Sequence, residues 1–166
     1  MKPLEPPDSH HLSAAFGWLG LGNLTEAGKE LERIAPSFHS HPDFLAARFD
    51  FLAAARKWDE ATEVAGTLTR LEPTQAGVWI SLAYATRRKS GGGITRARAI
   101  LIQAWQTFPE EKIIAYNLAC YDCQSGDLNA ARSWLKKACQ LGDARQVKNM
   151  ALQDPDLEAL WAELRE

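Results

Sequence analysis

Four alanines, Ala27, Ala61, Ala97 and Ala131, stand 34, 36 and 34 residues apart, each at the same place in a recurring apolar pattern. Three residues before each lies a large apolar side chain: Leu24, Trp58, Ile94 and Leu128. Four after come Leu31, Ala65, Leu101 and Leu135, and seven after come Ile34, Leu68, Ala104 and Ala138. Offsets of 0, +4 and +7 share one face of a helix. Twelve after stand His39, Pro73, Pro109 and Asp143, and proline cannot continue a helix. Upstream of each alanine a second apolar pattern (Ala14-Ala15…Trp18, Phe49…Leu52, Trp79…Leu82-Ala83, Leu118-Ala119) predicts a partner helix. Gly22, Gly92 and Gly126 lie five residues before their alanines, where a tight turn calls for positive φ; the second copy has Arg56 there. Each copy is therefore helix, turn, helix. Neither helix can bury its stripe alone, so the copies must stack.

Composition limits the alternatives. At 166 residues the chain is long enough for one domain with its own core. A net charge of −2 argues against a generally basic nucleic-acid binder. No run of 18 apolar residues predicts a membrane span. The apolar stretch Leu12 to Leu24 follows Glu5 and Asp8 and lacks a small-residue cleavage site, so it reads as a helix of the fold and the protein as cytoplasmic. Three cysteines, an odd count, do not make a disulfide scaffold. Residues 1–8, with three prolines, are expected to form a disordered leader.

The pattern resembles the tetratricopeptide repeat, over roughly residues 9–143. The fourth copy, Ala115-Tyr-Asn-Leu-Ala-Cys-Tyr-Asp-Cys-Gln-Ser-Gly-Asp-Leu-Asn-Ala-Ala-Arg to Asp143, matches best. The third, Trp79 to Pro109, carries two extra residues in its Lys89–Gly93 turn. The second, Pro42 to Pro73, has Arg48 where an apolar residue is expected, and the first, about Ser9 to His39, is degenerate. Asn117-Leu-Ala-Cys and Asp154-Pro-Asp-Leu resemble the end-of-array unit of bacterial members. The expected architecture is all-α: a right-handed α-α solenoid of about four helix pairs (9–41, 42–74, 75–110, 111–143) with C-terminal capping helices over 144–166. Helices are expected at 9–21, 24–35, 43–55, 58–71, 75–89, 94–107, 111–124, 128–141, 144–151 and 155–165. In the last of these Asp154 is the expected cap and Leu157, Leu160, Trp161 and Leu164 the apolar stripe.

The resemblance implies a concave groove lined by the first helix of each repeat. Its positions fall here on Phe16; on Asp43, Ala46, Asp50 and Ala53; on Ile80, Tyr84, Arg87 and Arg88; and on Ile113, Tyr116, Asn117, Cys120 and Cys123. Aromatic, small apolar and charged residues at spacings of three and four suit a peptide or an amphipathic partner helix. Of the positions that clamp a carboxylate tail in some members, only Asn117 matches; the others are Leu12, Phe16, Gly77 and Ser81, so a chaperone-tail clamp is not expected. From Pro73 to Pro109 there is no acid, while Arg87, Arg88, Lys89, Arg96 and Arg98 supply five positive charges. Such a patch suits an acidic peptide, or simply offsets helix dipoles at a helix end.

Signals for chemistry are weak. Cys120-Tyr-Asp-Cys123 lies inside a predicted helix with no second such pair and no nearby histidine. Cysteine there packs as a small hydrophobe. His10-His11 and His39-Ser-His41 read as structural, and Gly91-Gly92-Gly93 as a lengthened turn, because a phosphate loop needs lysine after the glycines. Trp134 is a candidate for a second, convex interface. The expectation is a non-catalytic protein-interaction module without metal or cofactor. Its partner is a protein or peptide, acidic residues among its features, with no nucleic acid and no membrane. A homodimer is compatible with this pattern. A secretion-type chaperone and a self-assembling scaffold are the alternatives, with a thiol redox enzyme last.

Overall fold

The structure, a computed structural model, describes residues 3–165. Among these, ten α-helices and no strand occur: α1 (Asp8–Gly20), α2 (Leu24–Arg33), α3 (Pro42–Ala54), α4 (Trp58–Leu71), α5 (Ala76–Arg88), α6 (Ile94–Thr107), α7 (Lys112–Gln124), α8 (Leu128–Leu141), α9 (Ala144–Ala151) and α10 (Trp161–Leu164). Short 3₁₀ turns occupy Pro36–Phe38 and Pro155–Leu160. The fold is all-α and built of helical repeats. Side chains close the open N–H groups at several helix starts: Asn23 accepts from Glu26, Asp127 from Ala130, and Asp143 from Gln146.

The chain forms two compact units, one ending at Gly91 and the other beginning at Gly92, so the division falls inside the glycine turn of the third predicted repeat. In unit 1, α1 packs on α2 and α3, α3 on α4, and α4 on α5. Its core gathers Leu31, Ile34, Phe44, Phe49, Leu52 and Leu68 around Ala15, Ala61 and Ala65. The start of this unit is held in place: Leu4 packs against the core, and the Asp8 carboxylate accepts the Ala35 N–H at 2.7 Å. The first two residues of the expected leader lie outside the described residues. Arg48 avoids the burial that its repeat position implies; it is exposed beside Glu32 and Glu60 along a cleft of about 250 Å³.

In unit 2, α7 packs on α6 and α8, α9 packs on α8, and the Pro155–Leu160 turn lies on α7 and α8. Leu101, Ile114, Leu118, Leu157 and Leu160 are fully buried. All four repeat alanines, Ala27, Ala61, Ala97 and Ala131, are 0% exposed: they stand where helices approach too closely for a larger side chain. Gly22 and Gly126 take the positive φ expected of them, at 73° and 86°. In the third copy positive φ falls instead on Gly91 and Gly93, because the two-residue insertion lengthens that turn. The expected helix over 155–165 is instead a 3₁₀ turn followed by a single α-turn. Leu157 and Leu160 are three apart, the 3₁₀ period, so the tighter winding aims both inward. The Trp161 indole N–H then donates to the Ala151 carbonyl at 2.8 Å.

Candidate interaction site

Three of the expected groove residues line one cavity in unit 1. Asp43 and Ala46 lie on the first half of α3, and Asp50 one turn further along. Each is three or four residues from the next, so all share a face. Opposite them the start of α5 presents Gly77, Val78 and Ser81. Phe49 and Leu68 form an apolar floor to the cavity of about 310 Å³ between these helices. Glu72 also lines it, so three acids and no basic residue face this space. The Asp50 side chain is exposed, and desolvation by the cavity wall around it still pushes its carboxyl above the ordinary range. Sequence reasoning did not include Leu68, Glu72 and Val78 in the groove; the Gln75, Val78, Ser81 spacing of three was the available signal for α5.

The remaining unit 1 positions sit elsewhere on the same helices. Phe16 is exposed on α1 and Ile80 is half-buried on α5. Tyr84 and Arg88 are exposed near the end of α5, and Arg87 beside them is half-buried.

In unit 2 the predicted groove face of α7 is covered by the chain itself. Tyr116, Cys120 and Cys123 are all buried, with the Pro155–Leu160 turn packed on their helix. The Tyr116 hydroxyl donates to Asp154 Oδ2 at 3.0 Å, and the Cys120 thiol donates to the same oxygen at 3.5 Å. The other oxygen of Asp154 caps the turn by accepting the Asp156 N–H. Gln124 donates to the Asp156 carbonyl at 3.2 Å, closing the edge. Asn117 is turned back on its own helix, donating to the Ile113 carbonyl at 2.8 Å. Cys120, Asp154 and Asp156 bring their ligand atoms within 4.8 Å of one another, but the Asp154 carboxylate already serves three donors. Arg98, counted in the basic patch, forms a two-pronged ion pair with Asp122 of α7. Trp134 is half-buried, with its ring edge-on to Trp105 at 5.2 Å and the Lys137 ammonium 4.3 Å above it.

The surroundings of Cys123 favour its neutral thiol. Burial pushes the Cys123 thiol up, with Asp156 and Asp154 adding to the rise and the Ala159 backbone and the Arg132 charge offsetting part of it. Reactive cysteines need the opposite, a lowered pKa beside positive charge. Three of the histidines have structural partners: His11 meets Glu30 at 2.7 Å, His39 reaches the Ile34 carbonyl and stacks on Phe44, and His41 caps α3.

The same burial sets an alkaline limit to stability. The Tyr116 phenol is pushed well above its ordinary range, first by desolvation and then by Cys120 and Asp154. The folded state therefore keeps protons that the unfolded chain gives up above about pH 8.5 for the thiol and about pH 10 for the phenol. Stability contributed by these groups is full below those values and falls as pH rises through them. The urea midpoint should begin to drop above about pH 8.5 and drop more steeply above about pH 10. Tyr116→Phe should flatten the upper part of that slope; an unchanged slope would remove Tyr116 as its cause.

No protein-family model matches the sequence, and no curated protein is recognisably similar to it. Solved structures are similar in fold. TTC0263, a thermophilic tetratricopeptide protein of Thermus thermophilus, superposes with a TM-score of 0.74 at 18% identity, over 95% of this chain and 82% of that one. MamA (residues 41 to the end) from Desulfovibrio magneticus RS-1 gives 0.70 at 15% identity, over 81% and 75%. The kinesin light chain tetratricopeptide-like repeats of Podosopora anserina give 0.65 at 19% identity, over 98% and 87%. With its alanine-anchored helix pairs, the chain has the tetratricopeptide-repeat fold.

Proposed function

We propose that the protein is a non-catalytic interaction module whose unit 1 holds a peptide or partner helix in the groove between α3 and α5. The observation that carries this reading is the groove itself. It is open and floored by Phe49 and Leu68, and the facing turns of two helices wall it with Ala46 and Val78. A volume of about 310 Å³ accepts one or two side chains of a larger ligand rather than a whole metabolite. Asp43, Asp50 and Glu72 on its lining favour a segment carrying lysine or arginine beside an aliphatic anchor. This charge is opposite to the acidic partner that the basic stretch at 87–98 suggests, so the groove and that stretch select for different features. Unit 2 offers no comparable open face on α7, where its own C-terminal turn is seated.

Affinity capture from host lysate tests the reading, comparing the native chain with the Asp43→Lys, Asp50→Lys double variant and with Val78→Glu. Asp43 and Asp50 are both exposed, so circular dichroism and the melting midpoint should stay near native. The partner retained by the native chain should fall about tenfold or more in each variant, the scale of a lost charge-assisted contact. Equal retention by all three would overturn the groove assignment.

A further inference from the structure

Arg56 is the one described non-glycine residue with positive φ, at 57°. The corresponding turns α1–α2 and α7–α8 place Gly22 and Gly126 there, at 73° and 86°. Left-handed backbone strains a residue with a β-carbon, which singles out Arg56 as a position to ask about function. The Arg56 side chain lines an open cleft of about 520 Å³ with Ala53, Ala54, Trp58, Tyr84 and Arg88. Across that cleft Arg88 is already oriented. Its guanidinium lies 3.6 Å from the Tyr84 ring centroid and 5.5 Å from that of Trp58. One nitrogen donates to the Tyr84 carbonyl at 3.0 Å. The two rings meet edge-on at 5.7 Å, which fixes the aromatic wall. Asp59 and Glu60 border the adjoining cleft, where Glu60 pairs with Lys57 at 3.3 Å. Among the described residues neither Arg56 nor Arg88 forms an ion pair with a carboxylate.

We infer that this cleft binds an oxyanion, a carboxylate or phosphate group on an acidic peptide, between Arg56 and Arg88. A guanidinium stacked on aromatic rings loses little freedom on binding and presents its free N–H edge to two oxygens at once. Trp58 and Tyr84 supply the apolar flank that a peptide side chain covers. The cleft lies at the C-terminal ends of α3 and α5, whereas the acidic groove lies toward their N-terminal ends. The inference rests on reading unit 1 as a peptide-binding surface, but it uses different residues.

The test uses the full chain and three hexapeptides that differ at two positions: glutamate, phosphoserine or glutamine. Binding is followed by NMR through the Trp58 indole N–H. The glutamate or the phosphoserine peptide should bind about tenfold more tightly than the glutamine peptide, and the tighter of the two identifies the group. Arg88→Gln and Arg56→Gly should each erase most of that preference. Arg56→Gly relieves the strained φ and should raise the melting midpoint, so its lost binding cannot be charged to misfolding. Equal affinity for all three peptides, or a preference that survives both substitutions, would overturn the inference. Absence of this preference in the native chain, with retention there of the partner captured through Asp43 and Asp50, would count against this cleft alone.

Discussion

Leu157→Ala together with Leu160→Ala should unfold unit 2 under conditions where the native chain is folded. Both side chains are buried to within 1% of complete. Each leucine-to-alanine change in a packed core costs about 2–5 kcal/mol, transfer and cavity together. Two such losses on one 3₁₀ turn, about 5 kcal/mol or more, rival the whole stability of a domain of this size. The damage would spread, because this turn covers α7. Without it Tyr116, Cys120 and Cys123 lose their shield, and Asp154 loses the position from which it accepts two of their protons. Thiol labelling gives a direct readout, since none of the three cysteines is in a disulfide. The buried pair Cys120 and Cys123 should react slowly in the native chain and within the mixing time in the double variant. A midpoint within about 1 kcal/mol of native would show that the segment is an ornament on α7 and not part of its core.

Arg98→Ala should be the most costly single change to a charged residue. Asp122 is buried, its side chain only 4% exposed, and Arg98 of α6 reaches it with two N–H groups. Removing arginine leaves a carboxylate without its counter-charge in a place that water barely reaches. Breaking a fully buried pair costs about 3–5 kcal/mol; the arginine side here is 38% exposed, so about 2–3 kcal/mol is expected. The double variant Arg98→Ala, Asp122→Ala should recover part of the loss, since no orphan charge remains. Urea unfolding of the three variants measures this. A double variant less stable than Arg98→Ala would mean that Asp122 acts mainly through packing.

Much of the architecture was legible because small residues leave a clear periodic trace. Ala27, Ala61, Ala97 and Ala131 are fully buried, and alanine at a fixed period has few causes other than helix packing. The start of the last segment was legible through Asp154, whose side chain caps it by accepting the Asp156 N–H. The hidden features all depend on contacts distant in sequence. Asp154 meets Tyr116 across 38 positions, so the sequence assigns Tyr116, Cys120 and Cys123 to an open groove that the C-terminal turn in fact covers. Arg98 meets Asp122 across 24 positions, so a patch of five positive charges contains one that is neutralised. Periodicity alone also cannot separate a 3₁₀ turn from an α-helix when Leu157 and Leu160 are three apart. The groove of unit 1 was half-visible: Asp43, Ala46 and Asp50 follow from the repeat register, while Leu68 enters from α4 and Glu72 from just beyond its end.

Site-specific photo-crosslinking tests the central claim most directly. A benzoylphenylalanine placed at Ser81, on the wall of the α3–α5 groove, is compared with one at the exposed Lys136 of α8. After irradiation in host lysate, the adducts are sequenced by mass spectrometry. Ser81 should join a partner polypeptide at a segment bearing lysine or arginine next to an aliphatic residue, and Lys136 should not. Crosslinking of the same partner from Lys136 with none from Ser81 would contradict the claim.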